Sequence, residues 1–181
     1  MALLPIIIAP DPRLKVTCAP VEEVDAGIVR LMDDMLETMY AAPGVGLAAP
    51  QVGVAKRIIV VDVSKDPDNP KPYQMVNPEV VWSGDELVDY EEGCLSLPEH
   101  YAQVTRPRRV RIRYTDKSGA TQEIEAEGLL ATAVQHEIDH LEGILFVDHI
   151  SKLKRSVILR KLQKTKKQLK IEAQSGAMAD A

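Results

Sequence analysis

Two histidines separated by three residues carry the clearest chemical signal in the sequence. His136 and His140, with Glu137 beside the first, form an H-E-x-x-H pattern. On a helix, residues four apart lie on one face, so both imidazole rings can reach the same metal ion. Glu137 would then lie close enough to meet a water molecule on that ion. The pattern predicts a metal-dependent hydrolase.

The common H-E-x-x-H proteases do not supply the third ligand of this site. A metzincin would carry a histidine where this chain has Phe146. A thermolysin-like protease uses a downstream carboxylate, but no Asp or Glu occurs between Asp148 and Glu172. Cys94 remains the candidate, because it follows Gly93 and two acids in a segment typical of a tight turn.

The spacing around the histidines predicts a helix over residues 129–141 that both anchors and exposes the site. Leu129 and Ala133 share a stripe with the two histidines, so this face can line a pocket with an apolar approach to the metal. A second stripe can hold the helix in the core; it consists of Leu130, Val134, Ile138 and Leu141.

Strands fill much of the middle of the chain. Further helices are predicted from Asp25 to about Pro43 and from about Ser151 into the 170s, whereas residues 44–53 resemble neither strand nor helix. Because strands and helices do not alternate, we expect an α+β fold, with mixed or antiparallel strands around a central helix that carries H-E-x-x-H. The predicted strands are 6–9, 58–63, 75–82, 109–114 and 121–127.

Length and composition fit one domain. The chain has 181 residues, of which 45% are apolar and 27% charged, as in ordinary globular proteins. No apolar run approaches the roughly 18 residues of a membrane span. Two cysteines cannot build a disulfide framework. We therefore expect a protein of a reducing cytoplasm, with no membrane partner, rather than a secreted, fibrous or disordered chain.

Charge is distributed unevenly. The net charge is −5, yet residues 151–170 contain nine basic residues and no acidic one. Such a run indicates either a solvated helix face or a contact with a polyanion such as RNA. The basic residues are Lys152, Lys154, Arg155, Arg160, Lys161, Lys164, Lys166, Lys167 and Lys170.

Three segments together resemble the motifs of peptide deformylase. They occur in the family's order and spacing, and the resemblance extends from the N-terminal segment to about Ile150. The basic C-terminal helix is similar to that of the Gram-negative-type enzymes. The resemblance implies a catalytic domain over 1–150 and a basic helical extension of the same domain over 151–181. The segments are Gly44–Gln51, Glu92–Ser96 and Gln135–His140.

The family removes the formyl group from the N-terminal formylmethionine of nascent polypeptides and releases formate. The resemblance implies Cys94, His136 and His140 as metal ligands, with water as the fourth. The family metal is Fe²⁺, which Zn²⁺, Ni²⁺ or Co²⁺ can replace.

The resemblance also implies roles for catalysis and substrate binding. Glu137 would act as general base and then as acid, while Gln51 and the Leu95 backbone N–H stabilise the oxyanion. The peptide would add as a strand along residues 44–46 and the segment before Cys94, and apolar side chains would form a slot for methionine. The substrate-binding candidates are Gly44, Val45, Gly46, Glu92, Gly93, Leu129 and Ala133.

The basic helix over 151–170 would dock the enzyme, expected to be a monomer of the bacterial cytoplasm, near the ribosomal tunnel exit. Many relatives carry a basic residue where this chain has His100-Tyr101. Two other functions stay open from the residues alone, namely an H-E-x-x-H endopeptidase and a ribosome-binding protein with a structural metal.

Overall fold

The computed structural model describes residues 2–179 of the chain. These residues contain three α-helices and seven strands. The helices are α1 (Ala26–Ala41), α2 (Leu129–Leu141) and α3 (Lys152–Ala179). The strands are β1 (Gly46–Ala48), β2 (Ile58–Val61), β3 (Tyr73–Ser83), β4 (Leu87–Cys94), β5 (Leu97–Pro107), β6 (Arg109–Thr115) and β7 (Thr121–Glu127).

The strands form two antiparallel sheets. One has five strands in the order β1-β2-β3-β6-β7, and the other is the β4–β5 hairpin. Helix α2 packs between them and contacts strands of both. This arrangement confirms the predicted α+β fold, with H-E-x-x-H on a central helix and further helices nearer each end of the chain.

Strand β2 is apolar throughout because helices cover both of its faces. Ile59 and Val61 pack into the cluster that includes the buried side of α2. Ile58 and Val60 point to the opposite face, where they meet a stripe of methionines on α1. Successive side chains of a strand alternate between faces, so a strand covered on both sides has no polar position.

Helix α1 begins and ends where the sequence indicates. The Asp25 carboxylate caps it by accepting a hydrogen bond from the Ile28 backbone N–H at 2.8 Å. The helix ends just before Pro43. Its apolar stripe packs into the core, and Met32, Met35 and Met39 in this stripe are fully buried.

Helix α3 rests on a third apolar cluster, beside the end of α2. Ile158 and Leu162 pack against it, and Lys166 Nζ donates to the backbone oxygens of Ile8 and Pro10 at 3.1 and 3.2 Å. The first part of this helix is therefore attached to the body of the protein. None of the helices in the described range 2–179 is both long and apolar enough to cross a bilayer.

The prediction of a strand over residues 6–9 is wrong. This segment runs without strand pairing, but Ile7 N–H donates to the Gln51 carbonyl at 2.7 Å and Ala9 N–H to the Ser96 carbonyl at 2.8 Å. Residues 44–53 hold the short strand β1 and a 3₁₀ helix over Ala49–Val52, contrary to expectation. Strands β4 and β5 were not predicted, because their long hairpin leaves many side chains exposed and blurs the alternation.

Candidate active site

Two elements bring a sulfur and two imidazole nitrogens together. Cys94 ends β4, while His136 and His140 lie one turn apart on α2. One ligand atom from each of the three lies within 4.8 Å of the others, and Cys94 Sγ is 3.3 Å from His140 Nε2. Tetrahedral binding of one cation by a thiolate and an imidazole would separate these atoms by about 3.5 Å. The donor set thus fits a divalent transition metal with N₂S ligation.

A buried carboxylate fixes the orientation of the first histidine. His136 Nδ1 lies 2.8 Å from Glu92 Oε1, which leaves Nε2 for the metal. Arg106, 5% exposed, donates two hydrogen bonds to Glu92 at 2.7 and 3.0 Å and a third to Asp139 at 2.9 Å. His149 Nε2 lies 2.8 Å from the same Asp139 oxygen. The ring is therefore held by a network that extends from β4 to the segment after α2.

The surroundings of Glu92 and His140 determine the protonation states of these two groups. Burial alone would raise the pKa of Glu92, but the hydrogen bonds from His136 and Arg106 hold it below its usual range. Burial keeps the pKa of His140 well below its usual value, so this ring is neutral, as a metal ligand must be. His140 Nδ1 has no hydrogen-bond partner among the described residues, unlike Nδ1 of His136.

Glu137 has a different environment from Glu92. Its carboxylate is buried, and Oε2 has no hydrogen-bond partner within residues 2–179. Burial raises the pKa of Glu137 to about 7, an effect that the charge of His136 only partly opposes. A carboxyl group with this pKa can both accept and release a proton near neutral pH.

Two glycines allow the opposite wall to approach. A β-carbon on Gly46 would overlap the Glu137 carboxylate, and one on Gly44 would come within 2.7 Å of Leu95 Cδ1. The backbone of the segment around β1 can therefore run directly beside Glu137 and the turn after β4. This packing explains why the segment is rich in small residues.

Gln51 lies against the sulfur. Its Nε2 is 3.4 Å from Cys94 Sγ and 3.0 Å from Ser96 Oγ, and its Oε1 accepts a hydrogen bond from the Ala48 backbone at 2.9 Å. Gln51 is 1% exposed, so these contacts fix its amide. Leu95 belongs to the turn that joins β4 to β5, which confirms the tight turn predicted at Cys94.

A cleft of about 520 Å³ opens beside this centre. It is lined by the candidate ligands Cys94 and His136, by Glu137, by Leu95, and by every substrate-binding candidate from the sequence, namely Gly44, Val45, Gly46, Glu92, Gly93, Leu129 and Ala133. Gln51 lies behind the lining, against Cys94. The three sequence segments thus meet around one cleft that ends at a Cys-His-His cluster.

Comparison of the sequence with known protein families and individual proteins agrees with this geometry. A family profile described as polypeptide deformylase matches residues 3–156. A peptide deformylase of Methylocella silvestris is 56% identical over 170 residues, which cover 92% of this chain and 87% of the relative.

The chain belongs to the polypeptide deformylase family.

Solved structures support the same assignment. The crystal structure of peptide deformylase from Ehrlichia chaffeensis has a TM-score of 0.88 at 41% identity and covers 92% of this chain and 98% of its own. Its complex with actinonin has a TM-score of 0.86 at 43% identity, with 91% and 98% covered. Deformylases are metal-dependent hydrolases that remove the N-formyl group of nascent polypeptides, and this chain is such an enzyme.

The deformylase site also contains residues that sequence reasoning missed. Arg106 gave no signal, because a single arginine in an unpredicted strand looks like a surface residue, and Asp139 occupies a variable position of H-E-x-x-H. Thr132 lines the cleft and lies one turn before His136, so helical spacing alone could have identified it. Phe146 stacks near His136, with ring centroids 6.3 Å apart, at the position where a metzincin has its third histidine.

Proposed function

We propose that this deformylase holds one divalent metal ion with Cys94, His136 and His140 and moves protons with Glu137. The convergence of one sulfur and two imidazoles beside a buried, unpaired carboxylate supports this assignment most directly. When bound, the metal supplies Lewis acidity, which lowers the pKa of a coordinated water and polarises the formyl carbonyl.

Glu137 carries the proton between the two reacting groups. Its carboxylate takes a proton from the attacking water, whose oxygen forms the new bond to the formyl carbon. The C–N bond then breaks, and Glu137 gives the proton to the departing amine, so that formate and a free N-terminus result. A pKa of about 7 suits both transfers.

Gln51 and the Leu95 backbone N–H stabilise the negative charge that develops on the formyl oxygen. Gln51 Nε2 lies next to the Cys94 sulfur, and Leu95 follows this cysteine directly, so both donors are close to the reacting centre. Removal of one oxyanion donor typically lowers turnover by about 10²–10³.

The substrate lies in the cleft with its backbone along residues 44–46 and the end of β4. Strand β1 has β2 on one side only, and Gly46 at its start lines the cleft together with Gly44 and Val45. Backbone hydrogen bonds along such an edge bind peptides of many sequences. The methionine side chain enters between Val45, Leu129 and Ala133, and Glu92 and Gly93 line the same wall.

Formate release tests this function. The purified enzyme should release formate from a formyl-Met peptide and leave intact casein uncleaved. Actinonin, which is bound in the Ehrlichia structure, should block the reaction. Cleavage of casein without formate release would instead indicate an endopeptidase.

We further propose Fe²⁺ as the resident metal, with Zn²⁺, Ni²⁺ or Co²⁺ able to replace it. A cysteine and two histidines suit all four ions. Metal analysis of enzyme purified without oxygen should find iron at one equivalent per chain. Zinc as the sole metal under those conditions would refute the proposal.

The basic helix is proposed to dock the enzyme near the ribosomal tunnel exit. Within 151–170 all nine charged residues are basic, whereas Ile158 and Leu162 pack on the catalytic domain, so one face is attached and the other is free for a polyanion. On this basis residues 1–150 form the catalytic domain and 151–181 its extension. Truncation at Ser151 should abolish co-sedimentation with ribosomes at low salt; unchanged co-sedimentation would refute docking by this helix.

We also propose that the enzyme is a monomer of the bacterial cytoplasm, where nascent formylated chains arise. Neither Cys18 nor Cys94 forms a disulfide, which fits a reducing compartment. Sedimentation equilibrium at micromolar concentration should give the 20.0 kDa mass of one chain.

A further inference from the structure

Thr132 contributes its side chain to the lining of the cleft at the methionine slot, and its hydroxyl oxygen is buried there. It lies on α2 between Leu129 and His136, one turn from each, and lines the cleft beside Ala133. It is 4% exposed, and its Oγ1 has no hydrogen-bond partner in the described residues 2–179. A buried hydroxyl without a partner is unfavourable, and valine would fill the same space without that disadvantage.

The other threonines of the α-helices show that this is not the ordinary state of the residue. Thr38 Oγ1, also 4% exposed, donates to the Asp34 carbonyl at 2.7 Å and accepts from the Leu4 N–H. Thr165 Oγ1 donates to the Lys161 carbonyl at 3.1 Å. Helical threonines usually satisfy their hydroxyl in this way, whereas Thr132 does not.

We propose that Thr132 is a specificity-determining residue whose hydroxyl donates a hydrogen bond to the sulfur-bearing side chain of the first substrate residue. This inference rests on the proposed function, because it places that side chain in the slot between Leu129 and Ala133. Threonine populates two χ1 rotamers in a helix, so the hydroxyl can turn toward the slot. A thioether sulfur is a weak acceptor and a sulfoxide oxygen a strong one, whereas a methylene accepts nothing.

The test compares wild type with Thr132→Val on three formyl peptides that differ only at the first residue: methionine, methionine sulfoxide and norleucine. The wild-type to variant ratio of kcat/KM should be one or below for norleucine. It should rise about two- to fivefold above that value for methionine and about tenfold for the sulfoxide. Thr132→Ser, which keeps the hydroxyl, should restore the wild-type order. An equal ratio for all three peptides would overturn the proposal.

Thermal unfolding supplies a second readout, with Thr38→Val as the matched control. Thr38→Val loses two hydrogen bonds and should lower Tm by several degrees, since about 1 kcal/mol corresponds to roughly 2–4 °C in a chain of this size. Thr132→Val should leave Tm unchanged or raise it. An equal fall in both variants would mean that the Thr132 hydroxyl is already satisfied in the free protein, and would also overturn the proposal. Absence of formate from every peptide with wild type would refute the proposed function instead.

Discussion

Two buried carboxylates near His136 have opposite environments. On the hairpin side, Glu92 accepts hydrogen bonds from Arg106 and His136, and its pKa stays low. On the β1 side, Glu137 lies against Gly46 with one oxygen unpartnered, and its pKa rises to about 7. Burial raises the pKa of both carboxyl groups, but only Glu92 accepts hydrogen bonds that reverse the effect. The ionised acid can orient a ligand, while the other can exchange a proton.

The largest effect should follow from removing the exchangeable proton. Glu137→Gln keeps the volume of the side chain but cannot accept a proton, so formate release should fall by about 10²–10⁴. The metal content should not change, because Cys94, His136 and His140 are retained. Kinetics and metal analysis on the same sample check both statements, and metal loss would show that Glu137 is itself a ligand.

The next largest effect should follow from removing Arg106, the ion-pair partner that keeps Glu92 ionised. Arg106→Met leaves two carboxylates near α2 without their guanidinium, which should lower the free energy of unfolding by about 3–5 kcal/mol. Metal affinity should fall by about 10–100-fold, because the His136 ring is no longer held. Chemical denaturation and metal titration measure the two effects.

Two further variants serve as controls for Arg106. Adding Glu92→Gln to Arg106→Met removes the unpaired negative charge of Glu92 next to His136 and should recover part of the lost stability. Arg111 on β6 forms ion pairs with Glu123 and Glu125 on β7, and its side chain is 43% exposed. Arg111→Met should change the free energy of unfolding by less than about 1 kcal/mol. If both single arginine variants behaved alike, burial of the Glu92 pair would not matter.

The smallest effect concerns a paired carboxylate away from the site. Burial alone would raise the pKa of Asp148, but the Leu145 N–H together with Lys15 and Arg155 lowers it below 3.8. Because the pKa of Asp148 is lower in the folded than in the unfolded state, its charge stabilises the fold at pH values above the unfolded-state pKa. This contribution disappears as the pH falls through the folded-state pKa. Asp148→Asn should therefore be less stable than wild type by under about 1 kcal/mol near pH 6, and this difference should shrink as the pH falls below 3.8. Urea unfolding across that range checks this, and a gap that is constant with pH would contradict it.

Local patterns in the sequence determined the three helices, four of the seven described strands and the types of the candidate metal-binding side chains. The 3.6-residue period supported a helix at α2, and the Asp25 cap and Pro43 set the bounds of α1. The H-E-x-x-H spacing identified both histidines and Glu137, since residues four apart on a helix must share a face. The hairpin of β4 and β5 was not predicted, because many of its side chains are exposed and its apolar residues do not alternate regularly.

Only the tertiary structure decided how the acids differ. Glu92 and Glu137 are the same residue type, each next to a metal-ligand candidate in space, and nothing local distinguishes their pKa values. Arg106 is 14 residues from Glu92 along the chain and 33 from Asp139, yet it joins them. A pKa depends on the charges and hydrogen bonds that distant segments bring within a few ångströms, and spacing along the chain does not contain this information.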